Sequence, residues 1–236
     1  MIRLRPSEER GHNQLSWLDS RFTFSFDQYY NPEHVHFRSL RVMNEDVIAP
    51  GAGFPTHPHR DMEILTWVLE GAVEHRDSSG GSGVIRPGEL QHMTAGRGVM
   101  HSEFNPSRKD PTHLLQIWIM PDRKGLNPAY EQLGFSDSEL RGKFALVAGP
   151  QAPITIHQDA NLYIARLDAA KEAQHQIAAG RHAWLQVARG AVKLAGSSSG
   201  KTPVIMSQGD GAAISQEASV RVEATEPSEV LLFDLA

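Results

Sequence analysis

Apolar residues along this chain fall in runs of four to eight, set apart by glycine, proline and short polar stretches. That rhythm predicts many short strands joined by turns, a mostly β protein. From residue 63 to 95 the elements can be followed one by one. Residues 63–69 form an apolar run, Glu70-Gly71 a turn, 72–77 a return strand and 78–83 a flexible loop; 84–86 lead to a Pro87-Gly88 turn and a further strand at 90–94. Residues 113–120 are apolar at both parities, with Leu115, Ile117 and Ile119 on one and Leu114, Trp118 and Met120 on the other. Successive side chains of a strand point to opposite faces, so this segment is expected to be covered on both, as a central strand. Residues 121–151 are richer in Gly, Pro and charge and read as a linker with a short helix around 137–140. Residues 169–179 have helix-favouring composition but weak amphipathic spacing, and receive no assignment.

The chain repeats itself. Trp67-Val-Leu-Glu-Gly-Ala-Val73, a Ser/Gly loop and Val84-Ile-Arg-Pro-Gly-Glu89 parallel Gln186-Val-Ala-Arg-Gly-Ala-Val192, a second Ser/Gly loop and Val204-Ile-Met-Ser-Gln-Gly-Asp210. Two copies of one β unit predict two domains, 1–133 and 134–236, and 236 residues suffice for two cores.

Composition narrows the chemistry. With no cysteine, disulfides, thiolate metal sites, iron–sulfur clusters and cysteine nucleophiles are excluded, so any metal must sit on nitrogen and oxygen. The net charge of −5 and scattered Lys and Arg argue against direct nucleic-acid binding and leave small molecules or proteins as partners. No apolar run approaches the ~18 residues of a membrane span, and the N-terminal segment lacks the apolar core of a secretory signal, so a cytoplasmic location is expected.

The densest chemical signal is Gly51, then His57-Pro58-His59, then Glu63 and Gly71. Side chains at i and i+2 share a face of a strand, so His57 and His59 can offer two imidazoles to one ion. Pro58 removes a ladder hydrogen bond and points to an edge strand. His101-Ser-Glu103 has the same spacing and follows the glycine-rich Ala95-Gly96-Arg97-Gly98. Two such pairs on neighbouring strands would make a cluster of three imidazoles and one carboxylate. That set suits divalent iron, manganese, nickel, copper or cobalt, while zinc fits the ligands without an oxidative role. His34-Val-His36 repeats the spacing without the flanking Gly and Glu and reads as a surface feature. His12, His75, His92, His113, His157, His175 and His182 occur singly and carry no site assignment. Ser102 lacks the glycine-flanked elbow of a serine hydrolase.

Over nearly its whole length the chain resembles the cupins, and within them the pirins and pirin-like quercetinases. Arg10-Gly11-His12, Phe24-Ser-Phe26, Thr56-His-Pro-His-Arg-Asp-Met-Glu-Ile64, Leu69-Glu-Gly71, Ala95-Gly96 through His101-Ser-Glu103, and Gln116-Ile-Trp-Ile119 carry the resemblance. It implies two tandem jelly-roll-like β-barrels, a bicupin, with one divalent metal, Fe(II) foremost, on His57, His59, His101 and Glu103. A generic cupin would use Glu63 instead; the seven residues between Glu63 and Gly71 and the adjacent Pro87-Gly88 follow the pirin variant. Aligning Gly71 with Gly190 sets Gln176, Ala178 and His182 opposite His57, His59 and Glu63, so the second half is expected to be a metal-free support.

The activity implied is oxygen-dependent cleavage of a flavonol such as quercetin with loss of carbon monoxide. Glu103, as ligand or nearby base, would take the substrate proton. Phe22, Phe24, Phe26, Trp67 and Trp118 are the candidate pocket walls. The alternative reading is a non-enzymatic regulator whose metal redox state alters the surface shown to a protein partner. A different cupin reaction on another small molecule is the third.

Overall fold

The computed structural model describes residues 1–197 and 202–236; residues 198–201, in the second Ser/Gly loop, lie outside it. The chain forms two compact units. One comprises Gly11–Phe135 with Ile156–Gln158, the other Met1–Arg10, Ser136–Thr155 and Asp159–Ala236. The opening segment, grouped by the sequence reading with the first half, thus supplies a strand, Ile2–Arg5, to the second unit, paired with Gly211–Ile214.

Among the described residues each unit has a seven-stranded and a four-stranded sheet, open jelly-roll sandwiches rather than closed barrels. In the first unit the larger sheet runs Ala129–Gly134, Glu89–Thr94, Glu63–Glu70, Thr112–Ile119, Leu40–Ile48, Leu18–Phe22, Gly11–Gln14. The expected central strand, Thr112–Ile119, occupies the fourth of seven places. The smaller sheet runs Gly53–His59, Val99–Phe104, Val73–Asp77, Ser82–Ile85, with the Pro58 strand at its edge.

The second unit repeats this order. Gly211–Ile214, His182–Arg189, Ser228–Leu235 and Ala160–Leu167 stand as Glu89–Thr94, Glu63–Glu70, Thr112–Ile119 and Leu40–Ile48 do in the first; Glu172–Gln176, Ser219–Ala224, Ala191–Gly196 and Val204–Ser207 match the smaller sheet. The repeat extends to single atoms. Gly71 and Gly190 both have φ +74°, and a Cβ there would meet the carbonyl oxygens of Pro111 and Pro227 at 2.8 and 2.4 Å. Thr112 Oγ1 donates to Ala72 O at 2.6 Å and Ser228 Oγ to Ala191 O at 3.0 Å. A side-chain hydroxyl donates to the turn carbonyl after the left-handed glycine in both copies, and in the second the Thr225 N–H reaches the same oxygen at 2.9 Å.

The helix expected near 137–140 is Asp137–Leu140, closed by a Ser136/Glu139 capping box. The segment around it is more than a linker, since Ala129–Gly134 and Ala145–Gly149 are strands of the two larger sheets. Glu172–Gln176 is also a strand, where local composition favours helix; pairing with Ser219–Ala224 decides it.

The units differ inside. The second is filled by packed aliphatic side chains, among them Val187, Leu194, Met206, Ile214, Val222 and Leu232. The first carries polar side chains on its inner faces: Thr66, His75, Gln91, His101, Glu103 and Gln116 are all buried.

Candidate metal centre

Three imidazoles converge where the edge strand of the smaller sheet meets its neighbour. His57 pairs with His101 and His59 with Val99, so His57 and His59 share a face and His101 comes up beside both. The register shifts between His101 and Glu103 because the edge strand uses one residue more from Phe54 to His57, a bulge opposite Ser102 that leaves the His101–Glu103 strand in regular register with Val73–Asp77. Gly53 permits the close approach beside it, since a Cβ there would fall 2.2 Å from Glu103 O.

Ring centroids of the three histidines lie 4.4 to 4.8 Å apart, and their ligand nitrogens all fall within 4.8 Å of one another. His57 Nε2 faces His101 Nε2 at 3.0 Å. His57 Nδ1 lies 2.8 Å from Pro55 O, which can only accept, so the proton sits on Nδ1 and Nε2 keeps its lone pair. Burial lowers the pKa of His59 to about 4 and of His101 to about 3, assisted by the neighbouring imidazoles. Both rings are therefore neutral donors at pH 7, as a metal requires.

Glu103 is brought close from the same strand but into a second group. Its ligand oxygen lies within 4.8 Å of His75 and His101 donor atoms, and His101 is common to both groups. Gln116 Nε2 donates to both Glu103 oxygens at 3.2 and 3.0 Å; Thr66 Oγ1 lies 3.3 Å from Glu103 Oε1 and from Gln116 Oε1 and can give its proton to either. The buried carboxylate is thus oriented from the central strands of the larger sheet. Neutral imidazoles with a hydrogen-bonded carboxylate alongside are a donor set that fits a divalent cation.

The histidines open onto a cavity of about 460 Å³, walled by Phe22, Phe26, Phe54, Ile64 and Trp118, with Asp46 and Gln116 among its polar residues. Trp118 stands edge-on to His59 at 4.9 Å and to Phe26 at 5.3 Å. Phe24 and Trp67 do not line it, contrary to expectation: both are fully buried, Trp67 on the opposite parity of its strand from Ile64. Phe54 takes the wall position that sequence reasoning missed.

Glu63, the generic cupin ligand, is also outside the cavity. It receives Thr94 Oγ1 at 3.1 Å and the His157 N–H at 3.3 Å, and pairs with His92 Nε2 at 2.8 Å. Burial opposes its charge, yet His92 and the His157 N–H hold its carboxyl below the usual range. Asp46 behaves oppositely: burial pushes its carboxyl up to about 7 against the hydrogen bond from Ser20 Oγ, with Glu103 adding to the rise.

Tandem jelly-roll units, one carrying a histidine-walled cavity, define a two-domain cupin. The pirin family model matches residues 3–119, and a model described as quercetinase C-terminal cupin domain matches 146–235. Quercetin 2,3-dioxygenase of Escherichia coli K12 is 49% identical, covering 100% of this chain and 99% of that protein. The crystal structure of bacterial pirin YhhW from Escherichia coli in complex with nickel(II) is 49% identical, with a TM-score of 0.91 over 100% of this chain and 99% of that one. A quercetin 2,3-dioxygenase from Acinetobacter baumannii, 22% identical, shares the fold with a TM-score of 0.71 over 95% of this chain and 84% of that one. The chain belongs to the pirin family of cupins. Among the described residues no helix is long and apolar enough to cross a membrane.

Proposed function

We propose that this protein is a metal-dependent dioxygenase that opens a flavonol such as quercetin, with His57, His59, His101 and Glu103 holding one divalent transition metal, iron(II) foremost. The observation that carries the reading is the meeting of three imidazole nitrogens within 4.8 Å at an aromatic-walled cavity. The name of the E. coli relative and the nickel(II) bound to its pirin support the activity and the divalent metal, respectively. When bound, the metal supplies Lewis acidity that lowers the pKa of a coordinated hydroxyl.

The chain's own residues do the rest. Phe22, Phe26, Phe54 and Trp118 offer faces and edges for a flat aromatic ligand and keep water from it. Glu103 takes the flavonol's hydroxyl proton, and Gln116 and Thr66 hold its two oxygens in place for that transfer. The second unit, its interior filled with aliphatic side chains, serves as a metal-free support.

The test is metal content of protein purified without chelators, joined to oxygen uptake with quercetin, for wild type and His101→Ala. Bound metal with uptake that the substitution abolishes is expected. Metal without uptake would overturn the enzymatic reading, and absence of metal from the wild type would overturn the site.

A further inference from the structure

Behind His101, on the side away from His57, lies a buried chain of polar groups that the proposed reaction does not use. His101 Nδ1 faces His75 Nδ1 at 3.4 Å, and His75 Nε2 lies 2.9 Å from Asp77 Oδ2. His75 and the side chain of Asp77 are fully buried. Strand register builds the chain, because Asp77 pairs with His101 and His75 with Glu103. Tyr130 stacks on the His75 ring at 4.9 Å and 29°, fixing its plane.

Each link dictates the next. A carboxylate oxygen only accepts, so His75 carries its proton on Nε2 and presents a lone pair at Nδ1. That lone pair accepts from His101, which places the His101 proton on Nδ1 and leaves Nε2 bare, toward His57 and the cavity. Asp77 is itself pinned: its Oδ1 accepts from Ser79 N at 2.8 Å, Ser79 Oγ at 2.6 Å and Gly81 N at 3.0 Å, leaving Oδ2 for His75. A side chain at residue 81 would collide, since its Cβ would stand 2.3 Å from Asp77 Oδ2.

We infer that Asp77 and His75 are positioning residues that set the tautomer of His101 through two successive rings, so that a lone pair, not a proton, meets the metal. The inference rests on His101 being a ligand by Nε2. It makes an unusual demand on Asp77→Asn. Ser79 and Gly81 keep the side-chain oxygen on their side, so the amide NH₂ must face His75 Nε2. His75 then moves its proton to Nδ1, His101 must answer with a lone pair there, and the His101 proton goes to Nε2, into the metal position. A near-isosteric change two rings away inverts both imidazoles.

Long-range ¹H–¹⁵N spectra of the metal-free full chain, labelled in histidine, read each tautomer directly. Nickel(II) titration gives Kd for the same samples. Wild type is expected to show His101 protonated on Nδ1; Asp77→Asn shows it on Nε2, with nickel Kd raised about 10- to 100-fold. His75→Phe, which keeps a ring against Tyr130, removes the acceptor and should give a mixture of His101 tautomers and weaker nickel binding; it decides the matter if Asp77→Asn does not fold. An unchanged His101 tautomer in the folded variants, with Kd as in wild type, would overturn the relay and leave the ligand assignment standing. Wild type that binds no nickel yet shows the expected tautomers, inverted in Asp77→Asn, would uphold the relay and remove the ligand assignment.

Discussion

His57 Nε2 and His101 Nε2 point at each other across 3.0 Å, each ring bonded through its other nitrogen, to Pro55 O and to His75. Two lone pairs face to face repel, and a cation between them converts the repulsion into two ligand bonds. Nickel(II) at 100 times its Kd should therefore stabilise the protein by about 2.7 kcal/mol, through binding the folded state alone. Urea unfolding with and without metal checks this, and His101→Ala should erase the difference.

The metal-free protein should lose stability in mild acid. An unfolded chain protonates histidine near 6.5, whereas folded His59 and His101 resist until about 4 and 3. The unfolded state then binds more protons, so stability contributed by this pair is present above pH 6.5 and lost as pH falls toward 3. Replacing both by Gln should flatten that part of a pH–stability profile measured by denaturant midpoint.

Asp46 gives the opposite slope. Its carboxyl, near 3.8 unfolded, is pushed up to about 7 in the fold, so the folded state holds the extra proton. Its contribution is fully present below pH 3.8 and lost as pH rises through 7. Asp46→Asn should remove this fall, leaving a midpoint that changes less between pH 5 and 8 than in wild type.

Gln116→Leu leaves the buried Glu103 carboxylate without the amide that donates to both its oxygens. Hydrogen bonds to charged groups are worth about 1.5–3 kcal/mol, and a loss of that order is expected in unfolding free energy. Thr66→Val, removing one hydroxyl shared between two acceptors, should cost about 1 kcal/mol.

The sequence made the candidate ligand pairs visible because His57/His59 and His101/Glu103 each obey strand parity within three residues. Gly71 and Gly190 made the duplication visible, and the apolar run at both parities marked Thr112–Ile119 as central. What stayed hidden depends on register. His75 and Asp77 are also an i, i+2 pair, but they look like any polar strand residues until the strand is laid beside His101 and Glu103. Gln116 and Thr66 become partners of Glu103 only through pairing of Thr112–Ile119 with Glu63–Glu70. Phe54 and Trp67 exchanged roles as wall and core because proximity to a motif says nothing of which face a side chain takes.

Ile2 pairs with Ile214 and Arg5 with Gly211, so the chain's opening strand forms the edge of a sheet whose other members are made last. At synthesis rates of about 5–20 residues per second, that strand waits roughly 10 to 40 s after leaving the ribosome before its partner exists. The histidine-bearing unit can complete itself meanwhile, since its strands lie between Gly11 and Gly134. The second unit closes only when Ile2–Arg5 and Ser228–Leu235 have both been delivered. A fragment that starts after Arg10 would reach that moment with Gly211–Ile214 as a naked edge, open to the strand of another molecule.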